Sequence, residues 1–164
     1  MTESRFPHLS SGGEARMVDV STKDVTARTA TAAARVLVSP QCVAALRDGS
    51  VPKGDALAVA RIAGVMAAKR TADLVPLCHP LFLSGVDVTA EVMDFGVELR
   101  AIVKTTERTG VEMEALTAVS VAGLAVIDMI KAIDRAAMIT DVRVLAKSGG
   151  RSGEWRRPEG AKLE

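Results

Sequence analysis

Four short segments of the chain carry side chains able to move protons or hold anions. The first is Leu77-Cys78-His79-Pro80. The unperturbed pKa of histidine lies nearest neutrality, so His79 can donate or accept a proton. Pro76 and Pro80 bracket it and limit how far the loop can wander. The plainer alternative makes Cys78 a small buried hydrophobe and His79 a hydrogen-bonded loop residue. The second segment is Gly110-Val111-Glu112-Met113-Glu114. Two carboxylates at a helix start are favoured by the helix dipole. One of them also suits a donor-rich base edge, such as the N1–H and amino group of guanine. The third is Asp128 with Lys131, neighbours on one helix face at i, i+3. They read as an acid/base pair at an apolar edge or as a surface ion pair. The fourth, Lys147-Ser148-Gly149-Gly150-Arg151-Ser152-Gly153, joins small residues to two cations and fits a loop closing over phosphates. It is not a Walker loop, because GxxxxGK[ST] is absent. Lys53, just before Gly54-Asp55 at a helix start, is a further anion contact.

Spacing limits how these groups can cooperate. Glu114 and Asp128 stand fourteen residues apart, so one straight helix separates them by ~21 Å at 1.5 Å per residue. If both serve one site, either a long ligand spans it or the two come from different subunits. The second option, with Ala-rich helix surfaces suited to close packing, predicts an oligomer.

The elements that must position these residues follow from the pattern. Met17–Val20 is a short strand candidate, and Val25–Val38, rich in Thr, Val and Ala, is a longer one. In the longer strand Thr29, Thr31, Ala33, Arg35 and Leu37 share one face, and Ala30, Ala32, Ala34, Val36 and Val38 the other. Ser39-Pro40 starts a helix that runs to Arg47 and closes at Asp48-Gly49. Gly54-Asp55 opens a second helix, ALAVARIAGVMAAKR. Val86–Met93 and Gly96–Lys104 alternate strictly and predict a hairpin turning at Asp94-Phe95-Gly96. The longest helix is expected from Glu112 to Ala136, and a last strand from Asp141 to Leu145. The order implies an α+β fold, helices packed on one face of a mostly antiparallel sheet. Residues 1–14 read as a mobile arm, 15–153 as a single domain and 154–164 as a mobile tail.

Composition narrows the partners. The 164 residues carry a formal charge of +1, too little for the broad basic field of a generic nucleic-acid binder. With three Phe, one Trp and no Tyr, there is almost nothing on which to stack bases. Two cysteines and two histidines show no CxxC or HxxxH spacing, so no metal site is expected. A reducing cytoplasm fits best. The N-terminus lacks the apolar run of a signal peptide, and Ala115–Ile127 falls short of the ~20 residues of a membrane helix.

Together the segments Met17-Val-Asp-Val-Ser, Lys53-Gly-Asp, AAKRTADLVPLCHPL, TGVEMEALTAVSVAGLAVIDMIKA and LAKSGGRSG resemble those of the molybdenum-cofactor biosynthesis protein C family, the cyclic pyranopterin monophosphate synthases. The resemblance runs from about Gly13 to Gly153, with no departure at the expected functional positions. It implies a ferredoxin-like α+β fold and a hexamer built as a trimer of dimers, with sites at the dimer interface. It also implies a lyase that converts 3′,8-cyclo-7,8-dihydroguanosine 5′-triphosphate to cyclic pyranopterin monophosphate and diphosphate. By matching motif positions, Leu77, Cys78, His79, Met113 and Glu114 contact substrate and Asp128 is the catalytic acid/base. Lys53, Glu112, Lys131 and Lys147 fall on further active-site positions. No cofactor is required on this reading, with Mg²⁺ an optional companion of the triphosphate. The rival is an oligomeric module that binds a nucleotide or pterin without turnover.

Overall fold

From Ala30 to Val36 every second residue of the first strand, β1 (Thr26–Leu37), is buried: Ala30, Ala32, Ala34 and Val36 are at most 1% exposed. This is the face that the period-two pattern assigns to the core. The computed structural model describes residues 9–10 and 12–158. Ser39 caps helix α1 (Pro40–Asp48) by accepting the Cys42 N–H on its side chain, and left-handed Gly49 closes it. Asp55 caps α2 (Ala56–Ala68) through the Ala58 N–H, and a single turn, α3 (Thr71–Leu74), follows.

Strands β2 (Leu83–Met93) and β3 (Gly96–Glu107) form the expected hairpin, with Met93 opposite Gly96. Helix α4 (Glu112–Ile130) leads to β4 (Met138–Ser148) and a two-residue β5 (Trp155–Arg156). The sheet order is β2-β3-β1-β4-β5, every pairing antiparallel. Its first four strands have the ferredoxin-like order.

One face of the sheet carries the helices. α4 lies on β1, β3 and β4, and α2 packs on α4 and β2. Ala115, Ala118, Val119, Ala122 and Val126 of α4 meet Val97, Leu99, Ala101 and Val103 of β3 and the small residues of β1. Alanines bring the layers close, and Gly64 continues this into α2: a Cβ there would lie 3.0 Å from the Ala118 carbonyl oxygen. α4 meets the length and hydropathy of a membrane span, 19 residues with a mean hydropathy of 1.7. It is nevertheless the core helix of the sheet. The opposite face is polar; there Arg35 pairs with Glu98 at 3.1 Å and Asp141 at 3.3 Å.

Four expectations change. Met17–Val20 pairs with no strand and instead belongs to an irregular strap, residues 16–24, beside the sheet end. The longest helix ends at Ile130 and not Ala136, because Asp134 accepts the backbone N–H groups of Ser39 (2.7 Å) and Ala136 (2.9 Å). The last long strand spans Met138–Ser148, extended at both ends by pairing with β1. The expected C-terminal tail is tethered at its start, Trp155 lying opposite Lys147 and Arg156 opposite Ala146. Residues 159–164 of that tail, and residues 1–8 and 11 of the expected arm, lie outside the described residues. The described part of the arm is a small turn, bridged between Leu9 and Ala15.

Candidate active site

Antiparallel pairing gathers one end of the sheet into a site. The start of β1 lies opposite the end of β3 at Thr26–Glu107, and beside the end of β4 at Thr29–Ser148. The first turn of α4 begins five residues beyond β3, so it lands at the same end. Between these elements, the strap and the Leu77–Leu81 segment lies a cavity of about 1150 Å³. Leu77, Cys78, His79, Glu112, Met113 and Glu114 all line it. A polar annex of about 220 Å³ adjoins, walled by Lys23, Arg28, Arg108, Glu112 and Lys147.

The His79 imidazole is fixed by its Nε2–H, which donates to the Val18 carbonyl at 2.8 Å. Its tautomer therefore leaves Nδ1 as the acceptor when the ring is neutral. Glu114 is only 4% exposed. Burial raises its pKa above the usual glutamate range; its own backbone N–H opposes this, and nearby Glu112 adds to the rise. Such a carboxyl can hold a proton and donate it to a ligand. Burial first and Glu114 second push the Cys78 thiol up, so Cys78 is a neutral wall group and not a thiolate nucleophile.

The cationic side of the site depends on a close backbone approach. Arg28 donates from Nε to the Glu107 carbonyl (2.9 Å) and from Nη2 to the Arg108 carbonyl (3.1 Å). The loop between β4 and β5 crosses this guanidinium. A Cβ at Gly149 would overlap the Ala27 carbonyl oxygen, and one at Gly150 would overlap Arg28 Nη1. Both glycines have positive φ, +92° and +71°. Lys147 donates to Ser152 Oγ across the same loop.

The remaining predicted residues lie elsewhere. Asp128 is near the far end of α4, about 21 Å along the helix from Glu114. Lys131 Nζ donates to one of its oxygens at 2.7 Å and Lys53 Nζ to the other at 3.0 Å. Lys53, expected beside a free anion, is thus engaged by this carboxylate. The Lys131 and Lys53 hydrogen bonds hold the Asp128 carboxyl below the usual aspartate range. All three side chains are roughly half exposed (42–57%) and none lines the cavity.

Several wall residues have no local sequence signal as site residues: Asp19, Lys23, Thr26, Arg28 and Arg108. An arginine amid the Thr/Ala run of β1 is the one cue for Arg28. Thr26 adds an unusual group, since among the described residues its Oγ1 is the buried side-chain polar atom without a hydrogen-bond partner. No cluster of three His, Cys, Asp or Glu side chains able to hold a metal occurs among the described residues.

Residues 17–150 match the model of the MoaC family. The chain is 66% identical over 161 residues to a cyclic pyranopterin monophosphate synthase of Streptomyces griseus, covering 97% of this chain and 91% of that protein. A protein of the same name from Nocardioides is 65% identical, with 94% and 96% covered. Another, from Chloroflexus aurantiacus, is 55% identical with the same coverage.

Proposed function

The chain belongs to the MoaC family, and from that premise we propose that it is a cyclic pyranopterin monophosphate synthase, a lyase of molybdenum-cofactor biosynthesis. Its substrate on this reading is 3′,8-cyclo-7,8-dihydroguanosine 5′-triphosphate, and its products are cyclic pyranopterin monophosphate and diphosphate. The observation that carries the reading is the distribution of charge along α4. A buried Glu114, its carboxyl pushed above the usual glutamate range, and a cationic annex stand at one end, and Asp128 bridged by two lysines stands at the other.

Each end suits one part of the chemistry. Glu112 matches the donor edge of the guanine-derived ring and Glu114 faces the ring as a proton donor, with Leu77, Cys78, His79 and Met113 around it. Lys147, with Arg28 and Arg151, offsets charge on the triphosphate. As the cyclic phosphate closes, a ribose hydroxyl oxygen bonds to the α-phosphorus and gives up its proton to water. The bond from that phosphorus to the bridging oxygen then breaks, and diphosphate carries the electron pair away. Asp128, anionic, accepts a proton during opening of the purine, and Lys131 supplies one. No resident cofactor enters this scheme; Mg²⁺ arrives, where it does, with the phosphates.

Because Asp128 and Glu114 lie so far apart on one helix, the complete site joins the cavity of one protomer to the Asp128–Lys131–Lys53 group of another. A hexamer assembled as a trimer of dimers supplies such junctions. The nucleotide substrate and the two unbridged cysteines, Cys42 and Cys78, fit a cytoplasmic enzyme.

The deciding experiment incubates purified protein with the cyclic triphosphate and follows pterin and diphosphate by mass spectrometry. Conversion is expected. Saturable binding with neither product would leave only a nucleotide-binding module. Mixing the inactive variants Glu114→Ala and Asp128→Ala, with subunit exchange, tests the shared site. Recovered turnover is expected, and none would put both groups to work within one protomer.

A further inference from the structure

The strap of residues 16–24 forms one wall of the cavity, yet it is neither helix nor strand. Two side chains from the body reach its backbone. His79 donates to the Val18 carbonyl at 2.8 Å, and Arg108 Nη1 donates to the Ser21 carbonyl at 2.8 Å and to the Lys23 carbonyl. The strap also folds on itself, the Ser21 N–H on Asp19 Oδ1 (2.9 Å) and the Lys23 N–H on the Val20 carbonyl (3.0 Å). Arg108 therefore closes over the Val20–Lys23 turn and grips the Ser21 and Lys23 carbonyls with one nitrogen.

The backbone of Arg108 is itself held. Arg28 donates to its carbonyl and to that of Glu107, and the Gly149–Gly150 backbone lies against Arg28. A chain of contacts thus runs from the glycine-rich loop through Arg28 and Arg108 to the strap. Each member borders the annex or the cavity.

We propose that Arg108 is a positioning residue: its clamp on the Ser21 and Lys23 carbonyls sets the strap as a cavity wall and aims Asp19 and Lys23 at the ligand. The proposal rests on the catalytic reading above for its kinetic consequence, and on geometry alone for its structural one. A charged arginine bonded to neutral carbonyls retains a charge-assisted bond that solvent competes for poorly when half-buried. Without it the strap loses its seat and its internal turn opens more often, so substrate meets a wall it must first order.

Two variants test this by hydrogen exchange and steady-state kinetics on the whole assembled protein. Arg108→Met keeps the aliphatic stem, preserving packing, and removes the donors. Exchange of the Ser21 and Lys23 amides is expected to quicken about tenfold while amides of β1 and β3 are unchanged. KM for the cyclic triphosphate is expected to rise about tenfold with kcat within about threefold of the parent. Arg108→Lys retains one donor nitrogen and is expected to show both changes at smaller amplitude. Unchanged exchange of those amides in either folded variant overturns the proposal. So does a fall in kcat with the strap still protected, which would make Arg108 a direct substrate contact. If the parent itself turns over no substrate, the functional reading fails, and the exchange measurement still decides the clamp.

Discussion

The two ends of α4 carry the same kinds of side chain in opposite electrostatic states. At the start, Glu114 is buried beside another carboxylate, and its charge is disfavoured. Near the finish, Asp128 stands in solvent between two ammonium groups, and its charge is favoured. Residue type alone does not assign an acid or a base; burial and neighbours do. The helix therefore presents one carboxyl whose charge is disfavoured and one whose charge is favoured.

The largest expected effect removes one end. Asp128→Ala or Lys131→Ala is expected to lower turnover by roughly 10²–10⁴-fold with the fold intact, as measured by product formation and circular dichroism. Near-parental turnover in either variant would reduce that end to a surface ion pair. Next comes the cationic side of the other end. Gly149→Ala forces a Cβ against the Ala27 carbonyl at a positive φ. Affinity for tripolyphosphate, measured calorimetrically, is expected to fall about tenfold, with stability reduced by ~1–3 kcal/mol.

The pH dependence of stability sharpens the contrast because the two ends have opposite signs. Glu114 keeps its proton in the folded chain over a range where the unfolded chain has lost it. Its contribution to stability is unfavourable above its raised folded value and vanishes below the usual glutamate range. Glu114→Gln is therefore expected to melt above the parent at neutral pH and to lose that advantage on acidification. Asp128 behaves inversely. Its stabilisation is present above the usual aspartate range and lost as pH falls through its lowered folded value, so Asp128→Asn melts below the parent only before that fall. Melting curves of both variants from about pH 3 to 8 check the pair, and equal slopes would erase the distinction. The smallest effect belongs to Thr26→Val, which replaces an unpartnered buried hydroxyl by a methyl group. It is expected to stabilise the ligand-free protein by ~1 kcal/mol in chemical denaturation.

The sequence made one of these ends far easier to read than the other. Asp128 and Lys131 are i, i+3 neighbours, and the helix geometry that pairs them is local. The hairpin at Asp94-Phe95 and the capped start of α1 were legible for the same reason. The strap side of the cavity wall was not, because it is assembled from chain segments about eighty residues apart. Arg108 reaches Ser21, and Arg28 reaches Glu107, through bonds that no periodicity announces. Met17–Val20 has the composition of a strand, but its Val18 carbonyl is taken by the His79 side chain and its Val20 carbonyl by the Lys23 N–H of the following turn. The α4 terminus was hidden similarly. Ile130, Ile133 and Ala137 prolong the helical rhythm, while the Asp134 carboxylate binds Ser39 across the fold and turns the chain away.

The short pairing of β5 with β4 gives the protein an optical reporter of its own. Trp155, the sole tryptophan in a chain without tyrosine, sits opposite Lys147 with the Arg157 guanidinium 5.8 Å from its ring. An anion drawn against Gly149–Gly153 is expected to disturb the surroundings of that indole, which lies just beyond the loop. Intrinsic fluorescence is therefore expected to follow occupancy of the cationic annex without a label, one emitter per chain.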